Sequence, residues 1–437
     1  MSRAETALKY FRNESESMKA RIRDGIERNR KGDATVVVRA AKGTLPEEIT
    51  VTAELVNHEF RFGANLFLLD EMETPEKNER YKRVFPELFN LATVPFYWNG
   101  LEPEKGKPRY AADSPKVYRR PPPDLCVDYC LAHGIEPKCH CLNYDSWIPS
   151  WLRDASVEEQ KRMLEKRFRE IAERYADKIP SFEVTNETLQ TARSAFFYED
   201  DFLDWSYRMA DRYFPNNRLI INDYNVWFPE SYNDRHAYYM QIERLFAHGI
   251  THLDSVGIQF HSFVPKAEEE TLAAQRYDPE ILYKLMDLYA RFGIAEQITE
   301  MTIPAYSGEE EDEYVQAELI KGVYSTFFSH PAMEAVIYWN VVDGYAYGKL
   351  GDMTNKENVY YGGLLRFDMS EKPAWKTLKK LIHEEWHTSV TVPVKDGRAN
   401  FRGFYGTYKL TVHAGDKTVE VPFDFSSRSN KKIEITL

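Results

Sequence analysis

Ser181-Phe182-Glu183-Val184-Thr185-Asn186-Glu187 is the stretch whose reading decides the fold. Branched and aromatic residues run directly into Asn-Glu, the pattern of a buried strand with polar groups at its C-terminal end. The chain repeats this pattern in both directions. Before it lie Phe60-Arg61-Phe62-Gly63-Ala64-Asn65, Leu91-Ala92-Thr93-Val94-Pro95-Phe96-Tyr97-Trp98 and Glu136-Pro137-Lys138-Cys139-His140-Cys141-Leu142. After it lie Leu219-Ile220-Ile221, Ser255-Val256-Gly257-Ile258-Gln259, Ala295-Glu296-Gln297-Ile298-Thr299 and Ala335-Val336-Ile337-Tyr338-Trp339. Amphipathic stretches such as 157–175, 232–247 and 313–329 separate many of these eight runs. Strand–helix alternation predicts a parallel sheet. Eight units in one run predict a closed (β/α)8 TIM barrel, an α/β fold, over residues 59–386.

The 437 residues exceed the roughly 250 of a minimal barrel, so flanking modules are expected. Residues 1–58 read as a charged helix over 4–30 followed by a β-hairpin. Its strands are Val36-Val37-Val38-Arg39 and Ile49-Thr50-Val51-Thr52-Ala53, with Leu45-Pro46 as the turn. After Trp386 the helical pattern stops. Residues 387–437 read as a small β module with turns at Lys395-Asp396-Gly397 and Ala414-Gly415-Asp416. The acidic run 309–313 suits the first turn of a helix, where carboxylates are favoured.

Composition narrows the function. The net charge is −12, from 57 basic and 69 acidic side chains, which argues against a nucleic-acid partner. No stretch approaches the ~20 apolar residues that span a bilayer, so no membrane partner is expected. The N-terminus lacks the apolar core of a secretory signal and reads as cytoplasmic, or as secreted if a signal has been removed. Cys126, Cys130, Cys139 and Cys141 fall in one window, and their spacing is not a standard zinc signature. They read as buried reduced thiols, with no metal and no cofactor.

Catalytic groups of such a barrel sit at the C-terminal ends of its strands. Those ends carry His140, Asn186-Glu187, Asn222-Asp223-Tyr224-Asn225, Gln259-Phe260-His261, Thr299-Glu300 and Trp339. A purely structural barrel needs no such convergence. The glutamates on strands four and seven lie nearly opposite each other across the barrel mouth. Cleaving a glycosidic bond takes two carboxyl groups, one to protonate the departing oxygen and one to attack the anomeric carbon or activate water.

With these motifs the chain resembles glycoside hydrolase family 10, whose typical members are endo-β-1,4-xylanases. The resemblance runs from about Phe60 to Ile382. It is carried by Phe182-Glu183-Val184-Thr185-Asn186-Glu187, Ile221-Asn222-Asp223-Tyr224-Asn225 and Ile298-Thr299-Glu300-Met301. Weaker support comes from Glu102-Pro103-Glu104-Lys105-Gly106, Ile148-Pro149-Ser150-Trp151-Leu152, Gln259-Phe260-His261 and Tyr338-Trp339. It implies a retaining β-glycosidase acting on β-linked oligosaccharides, with Glu187 as acid/base and Glu300 as nucleophile. Glu187 would be protonated at rest and Glu300 ionised. Asn186 would bind the sugar 2-hydroxyl, His261 would hold the nucleophile, and Gln259 and His140 would line the same subsite over a Trp339 wall. Tyr224, Trp98 and Asp145 are further candidates for substrate binding.

Three places depart from the family's pattern. At the end of strand two, where the family usually carries Glu-Asn and then Lys-Trp, only Trp98 matches. Tyr144-Asp145 stands where Trp-His is usual. Met301-Thr302 stands where Leu-Asp is usual, an Asp that normally supports the strand-six histidine. A different or decorated sugar, or an apolar aglycone near Trp147, Trp151, Trp227, Phe228, Tyr345 and Tyr347, is therefore expected. A non-catalytic carbohydrate-binding or sensing protein and a transglycosylase are the alternatives.

Overall fold

The computed structural model describes residues 2–189, 192–224, 226–228, 231–428 and 431–437. Two strands precede the barrel, β1 (Lys31–Arg39) and β2 (Ile49–His58). The barrel strands are β3 (Arg61–Asn65), β4 (Leu91–Pro95), β5 (Glu136–His140), β6 (Ser181–Asn186), β7 (Arg218–Asp223), β8 (Ser255–His261), β9 (Ala295–Thr302) and β10 (Met333–Tyr338). They close in sequence order, with β10 returning to β3, and neighbours are parallel. The chain therefore folds as a (β/α)8 barrel. Its strands are almost wholly buried on both faces, because side chains fill the interior and helices cover the outside.

The N-terminal rim of the barrel is plugged by charge. Arg61 on β3 and Arg218 on β7 each pair with both Glu136 on β5 and Glu334 on β10, at 2.7–3.1 Å. Ser255 and Gln297 donate to the remaining Glu334 oxygen at 2.6 and 2.8 Å. The opposite rim is left to the functional residues. There Gly257 permits a close approach: a Cβ would lie 2.7 Å from the Ile221 carbonyl and 2.9 Å from Asn222 Oδ1.

Five more strands follow Trp386: β11 (Ser389–Pro393), β12 (Arg398–Phe404), β13 (Gly406–Ala414), β14 (Lys417–Phe425) and β15 (Lys432–Thr436). They do not stand apart from the N-terminal strands. β1 lies between β12 and β15, while β2 lies between β11 and β13 in a second sheet. The expected N-terminal hairpin is thus replaced by two strands in two different sheets. The reason is local: the 40–48 connection is too long for a tight hairpin turn, and each strand finds better partners in the C-terminal segment. Phe401 of one sheet meets Tyr408 and Phe425 of the other at ring-centroid distances of 5.4 and 6.1 Å. The expected single helix over 4–30 is likewise three shorter ones, Arg3–Ala7, Lys9–Arg12 and Glu16–Asn29.

The acidic run does open a helix, Glu310–Ser329. Its first turn also receives Arg3, whose guanidinium pairs with Glu269 at 2.8 Å and donates to the Asp312 carbonyl at 2.8 Å. Among the described residues no helix is long and apolar enough to cross a membrane.

Trp386 joins the β unit to the barrel. Its ring stacks on Phe328 at 4.3 Å and on Phe62 at 5.8 Å, and Phe404 of β12 stacks on Phe328 at 6.1 Å. Trp386→Ala is expected to lower stability by about 3–5 kcal/mol, the usual loss for a buried large aromatic. Urea denaturation measures this, and a loss below ~1 kcal/mol would mean that the ring does not clamp the two parts together.

Candidate active site

The C-terminal ends of the barrel strands surround a cavity of about 490 Å³. Glu187, Glu300, Gln259, His261, Tyr224 and Trp339 all line it. Asn225, part of the strand-five motif, lies outside the described residues.

Glu300 stands near the end of β9 and is 4% exposed. Both its oxygens are hydrogen-bonded. Asn222 Nδ2 donates to Oε1 at 3.1 Å, and His261 Nε2 lies 3.1 Å from Oε2. Asn222 is itself held by Thr299 and by the space that Gly257 leaves open. His261 Nδ1 lies 3.0 Å from the Thr302 hydroxyl. Thr302 therefore occupies the supporting place where the family usually has Asp. Burial pushes the imidazole down to about 4, so at neutral pH it is uncharged. The neutral ring carries one N–H and one acceptor nitrogen, and it is held between the Thr302 hydroxyl and the Glu300 carboxyl.

Glu187 follows β6 with a φ of 53°, a left-handed conformation that non-glycine residues adopt when surrounding structure holds them there. Asp223 is one such anchor. Its carboxyl accepts from Leu189 N at 3.1 Å and Thr188 Oγ1 at 3.3 Å, which fixes the turn carrying Glu187. Gln259 Nε2 donates to Glu187 Oε1 at 3.1 Å, and the Tyr144 hydroxyl donates to Oε2.

Charge is distributed differently from the sequence expectation. Burial pushes Glu300 up to about 8; the Glu187 charge adds to this, while His140 and Lys138 oppose it. A buried carboxyl raised this far keeps its proton at neutral pH, where the sequence expectation had Glu300 ionised. Burial also raises Asp223, to about 7.

Under the site sits a buried ion cluster. Glu183 Oε1 pairs with Lys138 Nζ, and Oε2 accepts from His140 Nδ1, with all three side chains essentially inaccessible. Burial raises the Glu183 carboxyl, but Lys138 and His140 bring it down to about 2. His140 Nε2 then meets the Tyr97 hydroxyl at 3.0 Å.

Several candidates do not reach the cavity wall. His140 lies behind Tyr97, and Asn186 is buried with its Oδ1 accepting from Asn222 at 2.7 Å. Trp98 faces away, because the chain turns into a helix there. Its indole donates to Glu102 Oε2 at 2.9 Å, and Tyr97 faces the cavity instead. Asp145 is buried and accepts from the Arg193 and Ser194 amides, so it ties down a loop rather than a ligand. Of the aromatic candidates, Trp147, Trp227, Phe228 and Tyr347 line the cavity, whereas Trp151 packs on Trp98 and Tyr345 on Phe367.

Sequence reasoning missed Arg119, Arg120 and Glu357, which also line it. Arg119 and Arg120 sit on a loop and Glu357 in the short 3-10 helix Lys356–Tyr360, away from any strand end. The four cysteines are free and buried, and burial raises their thiols, Cys130 to about 12. Among the described residues no group of three or more His, Cys, Asp or Glu is placed to hold a metal.

Known proteins match this architecture. The family model for glycosyl hydrolase family 10 matches residues 69–380. A β-1,4-xylanase of Dictyoglomus thermophilum is 24% identical over 348 residues, covering 72% of this chain and 94% of that protein. The anti-sigma-I factor RsgI6 of Acetivibrio thermocellus is 22% identical over 396 residues, 89% of this chain, and the chain spans only 45% of that protein's length. Endo-1,4-beta-xylanase 3 of Arabidopsis thaliana is 23% identical, and the chain spans 44% of it. Among solved structures, xylanase 10B of Thermotoga petrophila RKU-1 in complex with xylobiose superposes with a TM-score of 0.59 at 20% identity, covering 75% of this chain and 95% of that one. Native xylanase 10B of Thermotoga maritima gives 0.57 at 21%, covering 75% and 96%. At these identities the structures share the fold.

The raised Glu300 carboxyl has a measurable consequence. Unfolded glutamate titrates near ~4.3. Between there and about 8 the folded protein holds a proton that the unfolded chain has lost, so rising pH removes stability. Glu300→Gln abolishes that loss. The melting temperature of the variant relative to the unaltered protein is expected to increase from about pH 5 to about pH 9. A difference independent of pH would contradict the burial of an uncharged Glu300.

Proposed function

Since the chain belongs to glycosyl hydrolase family 10, and is thus a glycoside hydrolase, we propose that it cleaves β-linked oligosaccharides with retention of configuration. The observation that carries this reading is the anchoring of Glu300. Asn222 and His261, one at each of its oxygens, hold it across the cavity from a second carboxyl, Glu187, with the indole of Trp339 in the wall beside them.

In this scheme a carboxylate oxygen of Glu300 attacks the anomeric carbon. The bond to the departing oxygen breaks, and that oxygen takes a proton from Glu187. A glycosyl ester on Glu300 results. Water then attacks the same carbon, gives its proton to Glu187 and releases Glu300. The chemistry requires Glu300 to have given up its proton before attack and Glu187 to carry one. Asn222 and His261 then stabilise the ionised Glu300. The substrate is a xylan-derived or other β-linked oligosaccharide. The neighbouring xylanase holds xylobiose, and the altered strand-two end of this chain favours a differently decorated sugar.

Aryl β-glycosides test the roles. Glu300→Ala should lose activity by roughly 10⁴-fold or more. Azide should restore turnover in that variant and yield the α-glycosyl azide, because it attacks from the face Glu300 vacated. Glu187→Ala with azide should give the β product. A β-azide from the Glu300 variant, or wild-type-like turnover without azide, would remove Glu300 from the nucleophile's place.

A further inference from the structure

Arg119 and Arg120 reach the cavity from the long loop after β4. Arg119 has a φ of 60°, a left-handed conformation in a bulky residue. Consecutive side chains of an extended chain point to opposite sides, whereas here both successive guanidinium groups line one cavity. A third arginine pins the loop: Arg109 donates to the carbonyls of Gly100 at 2.7 Å, Pro115 at 2.7 Å and Arg120 at 3.2 Å.

The contacts of this pair leave its charge unanswered. Arg119 donates to Asn340 Oδ1 at 3.3 Å and to the Tyr345 carbonyl. Arg120 donates to the Arg119 carbonyl at 2.8 Å, and its guanidinium lies 3.7 Å from the Tyr97 ring centroid and 5.1 Å from that of Trp147. Every ion pair of the described residues lies elsewhere: neither arginine has a carboxylate within 4.0 Å. Arg276, also in the wall, lacks one too, and its Nε is buried without a partner. Burial pushes Arg120 down to about 10, and the like charge of Arg119 acts in the same direction, yet it remains protonated at neutral pH. Guanidinium groups that line a cavity with no carboxylate in contact, although Glu187, Glu300 and Glu357 share its wall, are left free to pair with the counter-charge of a ligand.

We propose that the ligand is an anionic β-glycoside, in which a sugar ring bearing a carboxylate or a sulfate ester lies against Tyr97 and Trp147 and pairs with Arg119 and Arg120. This rests on the glycosidase reading for the sugar and adds its charge. The arginine fork matches a planar carboxylate or a sulfate in two-point contact, and the surrounding aromatic rings exclude the water that would weaken it.

The test is calorimetric binding to Glu300→Gln, which holds ligand without turnover. The probes are aryl β-glucuronide and aryl β-glucoside, aryl β-galacturonide and aryl β-galactoside, and the 6-sulfated glucoside. Acidic probes are expected to bind roughly 10- to 100-fold tighter than their neutral partners, the worth of a charged hydrogen bond, with the preference shrinking as salt is raised. Adding Arg120→Gln should erase the preference, and Arg120→Lys should keep part of it. Preference for the uronides alone identifies a carboxylated sugar, and preference for the sulfated probe alone identifies a sulfate ester. Equal binding of acidic and neutral probes, no binding of any acidic probe, or equal weakening of both by Arg120→Gln overturns the proposal. Acid-selective binding without hydrolysis by the unaltered protein would leave this inference standing and sink the hydrolase mechanism. Hydrolysis with no preference for acidic probes would do the reverse.

Discussion

A carboxylate at the bottom of a sealed barrel must find its counter-charge inside the barrel, and Glu183 does. Lys138 and His140 lie two residues apart on β5, so they share its inward face, and both reach the Glu183 side chain on β6. Breaking such a buried pair by removing one partner typically costs about 3–5 kcal/mol. The cluster also organises what lies above it. It orients His140 toward Tyr97, the aromatic face against which Arg120 rests. Its positive members also draw the Glu300 carboxyl down against the much larger effect of burial.

The two catalytic candidates consequently sit in unlike surroundings on the same rim. Glu300 is enclosed, held by an amide and an uncharged imidazole. Glu187 is held by a left-handed backbone turn, an amide and a phenol. Burial keeps His261 neutral and its partner Thr302 carries no charge, so the Glu300 carboxyl is shifted first by burial and then by the charges of Glu187 and of the cluster beneath. Environments that push paired groups apart are the means by which one site supplies both an acid and a nucleophile.

Much of this was legible from sequence because it follows from strand periodicity. Inward-facing positions of a parallel barrel are apolar until the strand ends, where the polar groups stand out: Asn186-Glu187, Asn222, Gln259, His261, Thr299-Glu300. Residues whose position depends on where a strand stops were harder to read. At β4 the change from strand to helix falls at Trp98, so Tyr97, one residue earlier, is the one that faces the cavity. The pairing of β1 and β2 with strands more than 300 residues away carries no local signal, since alternating burial looks the same beside any partner. Arg119 and Arg120 are placed by a loop conformation pinned through Arg109, and no periodicity points to them. Asp145 aligns with a family position, yet its carboxylate accepts from the Arg193 and Ser194 amides and from the Ser194 hydroxyl.

In a retaining reaction at this site Glu300 becomes covalently bonded to the sugar. An aryl 2-deoxy-2-fluoro-β-glycoside slows the breakdown of such an ester more than its formation, so the intermediate accumulates. Mass spectrometry of the protein treated with a reactive 2-fluoro glycoside, followed by peptide mapping, reads the bond directly. The account predicts one sugar per chain, carried on the peptide containing Glu300 and lost in Glu300→Gln. A sugar attached to a different carboxylate, or rapid hydrolysis of glycosides with no covalent species and inversion at the anomeric carbon, would contradict it.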